Sequence, residues 1–294
     1  MKVGVYGQYY KDETISYIKV LLKTLYKKNI EVVIEKSFYE TIENNNLPLP
    51  NYNTFSDHTD LDSSFDVMFT VGGDGTFLRA VTFVRDHNIP ILGINVGRLG
   101  FLATIQKDEI EHAIELLLEN KYRIVERTLL SIETNEKNKE LSEINIALNE
   151  ISVSRRNSTS MITIETYLND EYLTSYWADG LIIATPTGST GYSLSCGGPV
   201  ITPSTKSLVV TPIAPHNLNA RPLIIPEETQ IKLKIIAREE SALVSLDSRI
   251  TTVDSNSELY IKKAPFTLKT IFLSDQTFLK TLREKLLWGE DKRN

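Results

Sequence analysis

The stretch Phe69-Thr70-Val71-Gly72-Gly73-Asp74-Gly75-Thr76-Phe77-Leu78-Arg79 constrains this chain more than any other. The apolar run Val67 to Val71 reads as a buried strand, and three glycines around one aspartate follow at once. Thr76 then opens a segment with helical spacing of apolar residues at Phe77, Ala80, Val81 and Val84. Strand, glycine turn and helix in that order suit a phosphate. Glycine lets backbone N–H groups approach a ligand, and the helix N-terminus carries partial positive charge. A carboxylate in such a turn repels phosphate, so Asp74 needs a role of its own, either binding a metal or accepting a proton from a hydroxyl. Gly-Gly-Asp-Gly is also a plain turn sequence in which aspartate commonly caps a helix. The spacing matches neither the dinucleotide fingerprint nor a P-loop.

Before this stretch, Lys2 to Gly7 reads as a buried strand and Ile30 to Ile34 as a second. A helix between them carries Ile15, Ile18, Leu22 and Leu25 on one face, with Asp12 as its cap. Two strands joined by a helix predict a parallel sheet. Glu43 to Ser64 is polar and proline-containing, lacks periodicity, and is expected to be a mobile surface loop. After it, Ile89 to Asn95 is another short apolar strand. It feeds a second glycine-rich turn, Asn95 to Leu102, in which Phe101 suits core packing. Asp108 to Asn120 has the pattern of an amphipathic helix.

From about Tyr122 the texture changes to period-2 runs, at Leu129-Ser131-Glu133, Ile144-Ile146-Leu148, Met161-Thr163-Glu165 and Ile231-Leu233-Ile235. The expected fold is therefore α/β + β. A Rossmann-like α/β domain spans residues 1–122, and a β-sandwich-type domain spans residues 123–273. A last helix, capped by Ser274 and carrying Phe278, Leu282 and Leu286, is expected to pack back on the first domain and complete it with residues 274–294. A chain of 294 residues suffices for two such domains. A net charge of −6 argues against a nucleic-acid or anionic-membrane partner. The single cysteine, Cys196, excludes a disulfide framework. There is no secretory pattern and no apolar run near the twenty residues a membrane span needs, so a cytoplasmic location is expected.

Two stretches of the second domain carry chemistry. Asn149 and Glu150, at a strand end, suit either ribose hydroxyls or a solvent-facing turn. The strand Leu181 to Ala184 runs into Thr185-Pro186-Thr187-Gly188-Ser189-Thr190-Gly191-Tyr192, a turn offering N–H groups and hydroxyls to phosphate or sugar oxygens and a ring for stacking. A loop this long and polar is expected to bind rather than merely link.

Taken together, Gly72-Gly73-Asp74-Gly75-Thr76, Asn149-Glu150 and Asp179-Gly180 leading to Tyr192 resemble the NAD kinase family in order and spacing. The first motif alone is shared with phosphofructokinases and diacylglycerol-type lipid kinases. The resemblance implies phosphorylation of the 2′-hydroxyl of the adenosine ribose of NAD by ATP, with a divalent metal, usually Mg²⁺. It implies that Asp74 is the proton acceptor. It implies a dinucleotide site of Asp74, Gly75, Arg79, Phe101, Asn149, Glu150, Asp179, Thr187, Thr190, Gly191, Tyr192, Ser193, Leu194, Ser195 and Ala214, with Ser160 and Trp177 as weaker members. Arg249 stands where the family often has glutamine, and suits either a phosphate contact or an exposed hairpin position. The loop from Arg155 to Ser160 matches poorly; His216 and Cys196 read as structural. The family also implies a homodimer or homotetramer. The competing readings are a lipid kinase and a dinucleotide sensor without catalysis.

Overall fold

The computed structural model describes residues 1–8, 12–45, 51–157, 160–237, 240–274 and 276–287. The cap expected at Asp12 falls on a side chain outside the described residues, as do residues 46–50 of the expected Glu43–Ser64 loop and residues 158–159 of the Arg155–Ser160 loop. The chain divides into two compact units, residues 1–126 with 268–294, and residues 127–267.

The first unit is built on parallel strands β1 (Lys2–Gly7), β2 (Glu31–Glu35), β3 (Asn53–Phe55), β4 (Val67–Gly72), β5 (Ile91–Asn95) and β6 (Ala103–Ile105). Helices α1 (Asp12–Lys27), α2 (Lys36–Asn44), α3 (Asp74–Val84) and α4 (Ile110–Leu118) connect them. The order across the sheet is β5-β4-β1-β2-β3, with β6 also on β5 and residue Thr270 pairing with Ile91 on its far side. The central strands β4 and β5 are buried from end to end, and β1 all but its first residue, the signature of a parallel sheet covered on both faces. Ile18, Leu21 and Leu25 of α1 pack with Ile110, Ala113 and Ile114 of α4 in one core.

The chain passes from β1 to β2 on one side and from β4 to β5 on the other. The carboxyl ends of β1 and β4 are therefore the topological switch point, where open α/β sheets bind ligands. The Gly72-Gly73 turn and the first residues of α3, Asp74 and Gly75, sit at that end of β4. The closing helix, Phe278–Leu286, belongs to this same unit: Lys285 Nζ donates to Leu99 O, and the Phe278 ring lies 6.3 Å from that of Phe101.

Three local readings need correction. Helix α2 runs into the start of the expected Glu43–Ser64 loop and buries Phe38 and Ile42, one turn apart; Glu35 starts it by accepting the Ser37 and Phe38 N–H groups at 3.1 and 2.8 Å. The expected loop after it contains β3, which pairs with β2 and buries Phe55; a three-residue edge strand is too short to show a period. The closing helix is capped not by Ser274 but by Thr277, whose hydroxyl accepts the Lys280 N–H at 3.2 Å.

The second unit is antiparallel. Strand β7 (Tyr122–Thr134) enters it, followed by α5 (Lys139–Glu143), β8 (Ile146–Ala147), β9 (Glu150–Arg155), β10 (Ile162–Leu168), β11 (Glu171–Ala178) and β12 (Gly180–Ala184). Then come α6 (Tyr192–Ser195), β13 (Ser207–Ile213), β14 (Leu223–Pro226), β15 (Ile231–Ile236), β16 (Ser241–Leu246), β17 (Arg249–Asp254) and β18 (Glu258–Leu273); the closing helix is α7. One sheet runs β14-β13-β12-β9-β16-β17; the other carries β11-β10-β15-β18. Ile151, Val153, Leu181 and Ile183 of the first sheet share a core with Ile162, Ile164, Leu233 and Ile235 of the second. This is sandwich packing: the expected run Ile231-Leu233-Ile235 faces inward, but in β10 it is Ile162 and Ile164 that do, one residue out of step with Met161-Thr163-Glu165. Asn149 and Glu150 stand at the start of β9, not at the end of the strand before it, which is only two residues long.

Candidate active site

In the first unit, Gly73 ends the turn and Asp74 is the first residue of α3. The Asp74 carboxylate accepts three consecutive backbone N–H groups, Phe101 at 2.8 Å on Oδ2, and Leu102 and Ala103 at 3.0 Å each on Oδ1. It thereby fixes the second glycine-rich turn against the first. A Cβ on Gly100 would lie 2.0 Å from Asp74 Oδ1, so the clamp requires glycine there. Phe101 is half-buried, and Gly75 and Arg79 are exposed. Beside them, Gly7, Gln8, Ser37, Thr41, Phe83 and Arg79 line a cavity of about 510 Å³ over the end of β1. Thr76 Oγ1 donates to Gln8 Oε1 at 3.2 Å, tying the helix start to that strand end.

In the second unit, Asp247 does to residues 148–150 what Asp74 does to 101–103. It accepts Leu148 N–H at 2.9 Å on Oδ2, and Asn149 and Glu150 N–H at 2.8 and 3.1 Å on Oδ1. Glu150 is 9% exposed, and its Oε2 has no hydrogen-bond partner among the described residues. That oxygen faces Gly191, where a Cβ would come within 2.8 Å of it. Burial, and then the Asp247 charge, push the Glu150 carboxyl up to about 8, so it carries a proton at neutral pH. Burial also raises the Asp247 carboxyl, against the pull of its three N–H bonds and Arg249.

Gly191 and Tyr192 of the 185–195 loop lie close to this carboxyl. Tyr192 is exposed over it, its phenol raised first by burial and then by the charges of Cys196, Asp179 and Glu150. Arg155 grips Asp179 with two bonds, Nε to Oδ1 at 2.9 Å and Nη2 to Oδ2 at 3.1 Å, the planar fork that suits a carboxylate. Thr187 accepts from Arg127 Nη1 at 3.1 Å, and Thr190 Oγ1 donates to Thr187 O at 3.2 Å. Ser193 turns inward, its hydroxyl 2.8 Å from that of Thr211, while Leu194 is half-buried and Ser195 exposed. Trp177 is exposed, with its ring 4.3 Å from that of His216. Ala214 holds a φ of +42°, in the left-handed region that a non-glycine residue rarely adopts. Ser160 is half-buried.

Arg249 acts on the second clamp through its charge on Asp247. Its guanidinium donates to Ile144 O at 3.1 Å and to Ile146 O, and it lines a separate cavity with Glu140 and Leu141. Two of its donors thus meet backbone carbonyls, and it is half-buried, not an exposed hairpin residue. Sequence reasoning missed Arg127 and Arg155, each a lone polar residue in a strand, and Gln8, just past the end of β1, because a single polar residue carries no spacing signal. Among the described residues no group of three or more His, Cys, Asp or Glu side chains is placed to hold a metal.

The family model described as the ATP-NAD kinase N-terminal domain matches residues 3–122, and that of the ATP-NAD kinase C-terminal domain matches residues 148–273. The chain is 60% identical over 294 residues to an NAD kinase of Flavobacterium psychrophilum, covering all of both chains. It is 40% identical over 293 residues to that of Bacteroides fragilis, again at full coverage. Among solved structures, it resembles an NAD kinase from Archaeoglobus fulgidus in complex with ATP, with a TM-score of 0.75 and 25% identity over 97% of this chain and 99% of that one. It shares the fold of yeast NADH kinase complexed with NADH, with a TM-score of 0.89 and 24% identity over 99% of this chain and 88% of that one.

Proposed function

The chain belongs to the NAD kinase family, and we propose that Asp74 is the base for phosphoryl transfer from ATP to the 2′-hydroxyl of the adenosine ribose of NAD. The observation that carries this reading is the Asp74 clamp. Oδ1 takes two N–H groups and Oδ2 only one, which leaves Oδ2 a lone pair for a proton while the backbone holds it still. As the hydroxyl oxygen bonds to the γ-phosphorus, its proton passes to Oδ2. The bond from that phosphorus to the β–γ bridging oxygen breaks, releasing ADP and NADP. Base catalysis of this kind contributes about 10²–10⁴-fold, and the rest comes from positioning and charge neutralisation.

In the first unit, Gly75 and Arg79 serve the nucleotide phosphates and Phe101 offers a ring to adenine. In the second unit, Asn149 and Glu150 hold ribose or adenine, and Asp179 meets the nicotinamide end. Thr187, Thr190, Gly191, Tyr192, Ser193, Leu194, Ser195 and Ala214 line the dinucleotide loop, with Ser160 and Trp177 at its margin. A divalent metal, Mg²⁺, would neutralise charge on the ATP phosphates. Exposed apolar residues of the second unit, among them Trp177, Leu218, Leu223 and Ile224, support assembly as a homodimer or homotetramer. No described helix is long and apolar enough to cross a membrane, which is compatible with a cytoplasmic enzyme.

The test is NADP formation by the pure protein with ATP and Mg²⁺, run beside Asp74→Asn. Loss of turnover with NAD binding retained supports the base; full turnover in the variant removes it. A variant that is as competent as the parent only in binding, where the parent also makes no NADP, would identify a sensor.

A further inference from the structure

Arg127 is 3% exposed, in β7, and its Nη1 donates to the Thr187 hydroxyl at 3.1 Å. Burying a permanent charge is costly, and an apolar side chain of like volume serves a purely structural position at least as well. What the charge meets is therefore informative. Thr187 is 7% exposed and precedes the short turn Gly188–Thr190.

The rest of this loop is stapled by other hydroxyls. Thr185 Oγ1 donates to Leu148 O at 2.6 Å and accepts Gly188 N–H at 3.1 Å. Ser189 Oγ donates to Pro186 O at 2.7 Å. Thr190 Oγ1 donates to Thr187 O at 3.2 Å. The Thr187 hydroxyl is no staple of this kind. It accepts from Arg127, and a guanidinium has no lone pair with which to accept in return. The Thr187 proton is thus turned away from Arg127, and no acceptor for it occurs among the described residues.

We infer that Arg127 is a positioning residue for substrate binding: it occupies a lone pair of Thr187 so that the Thr187 O–H donates to an acceptor atom of the dinucleotide. The cation also polarises that O–H, which strengthens it as a donor in a low-dielectric loop. This rests on the reading of residues 185–195 as the dinucleotide loop. The contact falls on a part of the substrate that does not react, so it acts alike on ground and transition states and appears in KM.

The experiment measures NADP formation by the full chain with NAD and ATP titrated separately. Thr187→Val raises KM for NAD about tenfold, the worth of one good hydrogen bond. It leaves kcat within about threefold and KM for ATP unchanged. Thr187→Ser, which keeps the hydroxyl, restores the parent KM. Arg127→Met raises KM for NAD by a like factor, and adds less than about twofold on top of Thr187→Val, because both act through one hydroxyl. If melting shows that Arg127→Met does not fold, Arg127→Lys takes its place in the same cycle. An unchanged KM in Thr187→Val, no rescue by serine, or effects that multiply in the double variant overturn the inference. A parent protein that makes no NADP sinks the reading beneath it, a distinct result.

Discussion

Asp74 and Asp247 make the same structure in two different places. Each takes three consecutive backbone N–H groups, the first on Oδ2 and the next two on Oδ1. Each thereby fixes a turn to a distant element. Their surroundings differ. Asp74 opens α3, where the helix N-terminus favours negative charge, beside a turn whose Gly75 is exposed. Asp247 sits at φ +54° between β16 and β17, next to the buried Glu150, whose proton it helps to hold. On the proposed function, the Asp74 clamp steadies the oxygen that takes the proton. The Asp247 clamp fixes residues 148–150, and its charge disfavours ionisation of the neighbouring Glu150.

That contrast breaks most readily at Asp74. Asp74→Asn lowers kcat by about 10²–10⁴-fold, while calorimetry finds NAD affinity nearly unchanged. An equal loss of binding would make the two clamps alike in function. Gly100→Ala comes next: the added methyl collides with Asp74 Oδ1, and the displaced carboxylate costs about 10²-fold in kcat with the side chain still present. Asp247→Asn acts on stability instead. An amide nitrogen then faces an N–H, at a cost of about 1–3 kcal/mol. Thermal melting should fall by about 2–4 °C for each kcal/mol, with kcat far less affected than in Asp74→Asn.

The smallest effect is in the pH profile. Glu150 rises in the folded protein from 4.5 to about 8, so between these values the folded state keeps a proton that the unfolded state has released. Its stabilisation is complete below about 4.5 and is lost as pH rises through about 8. Melting temperature should decline across this window, and Glu150→Gln should flatten the decline. A parallel decline in the variant would assign it to other groups, including Asp247, which shifts in the same direction.

Much of this was legible in the residues. Apolar runs marked β1, β4, β5 and β12, and the change from helical to alternating spacing near Tyr122 marked the change of architecture. Helix α2 and strand β3 were not legible: one is started by a carboxylate, Glu35, lying outside the usual small cap residues, and the other is three residues long. Arg249 had no visible place until the carbonyls of Ile144 and Ile146 were brought to it.

Local chemistry alone was enough for what each segment becomes, because side-chain period and glycine geometry act over a few residues. It was also enough for the family, whose motifs are short and contiguous. Which groups those motifs hold was decided only by the tertiary structure. Asp74 reaches N–H groups 27 to 29 residues away, and Asp247 reaches them 97 to 99 residues away. No periodicity spans such distances; only the folded chain, with backbone donors that must find acceptors when buried, brings them to the carboxylates.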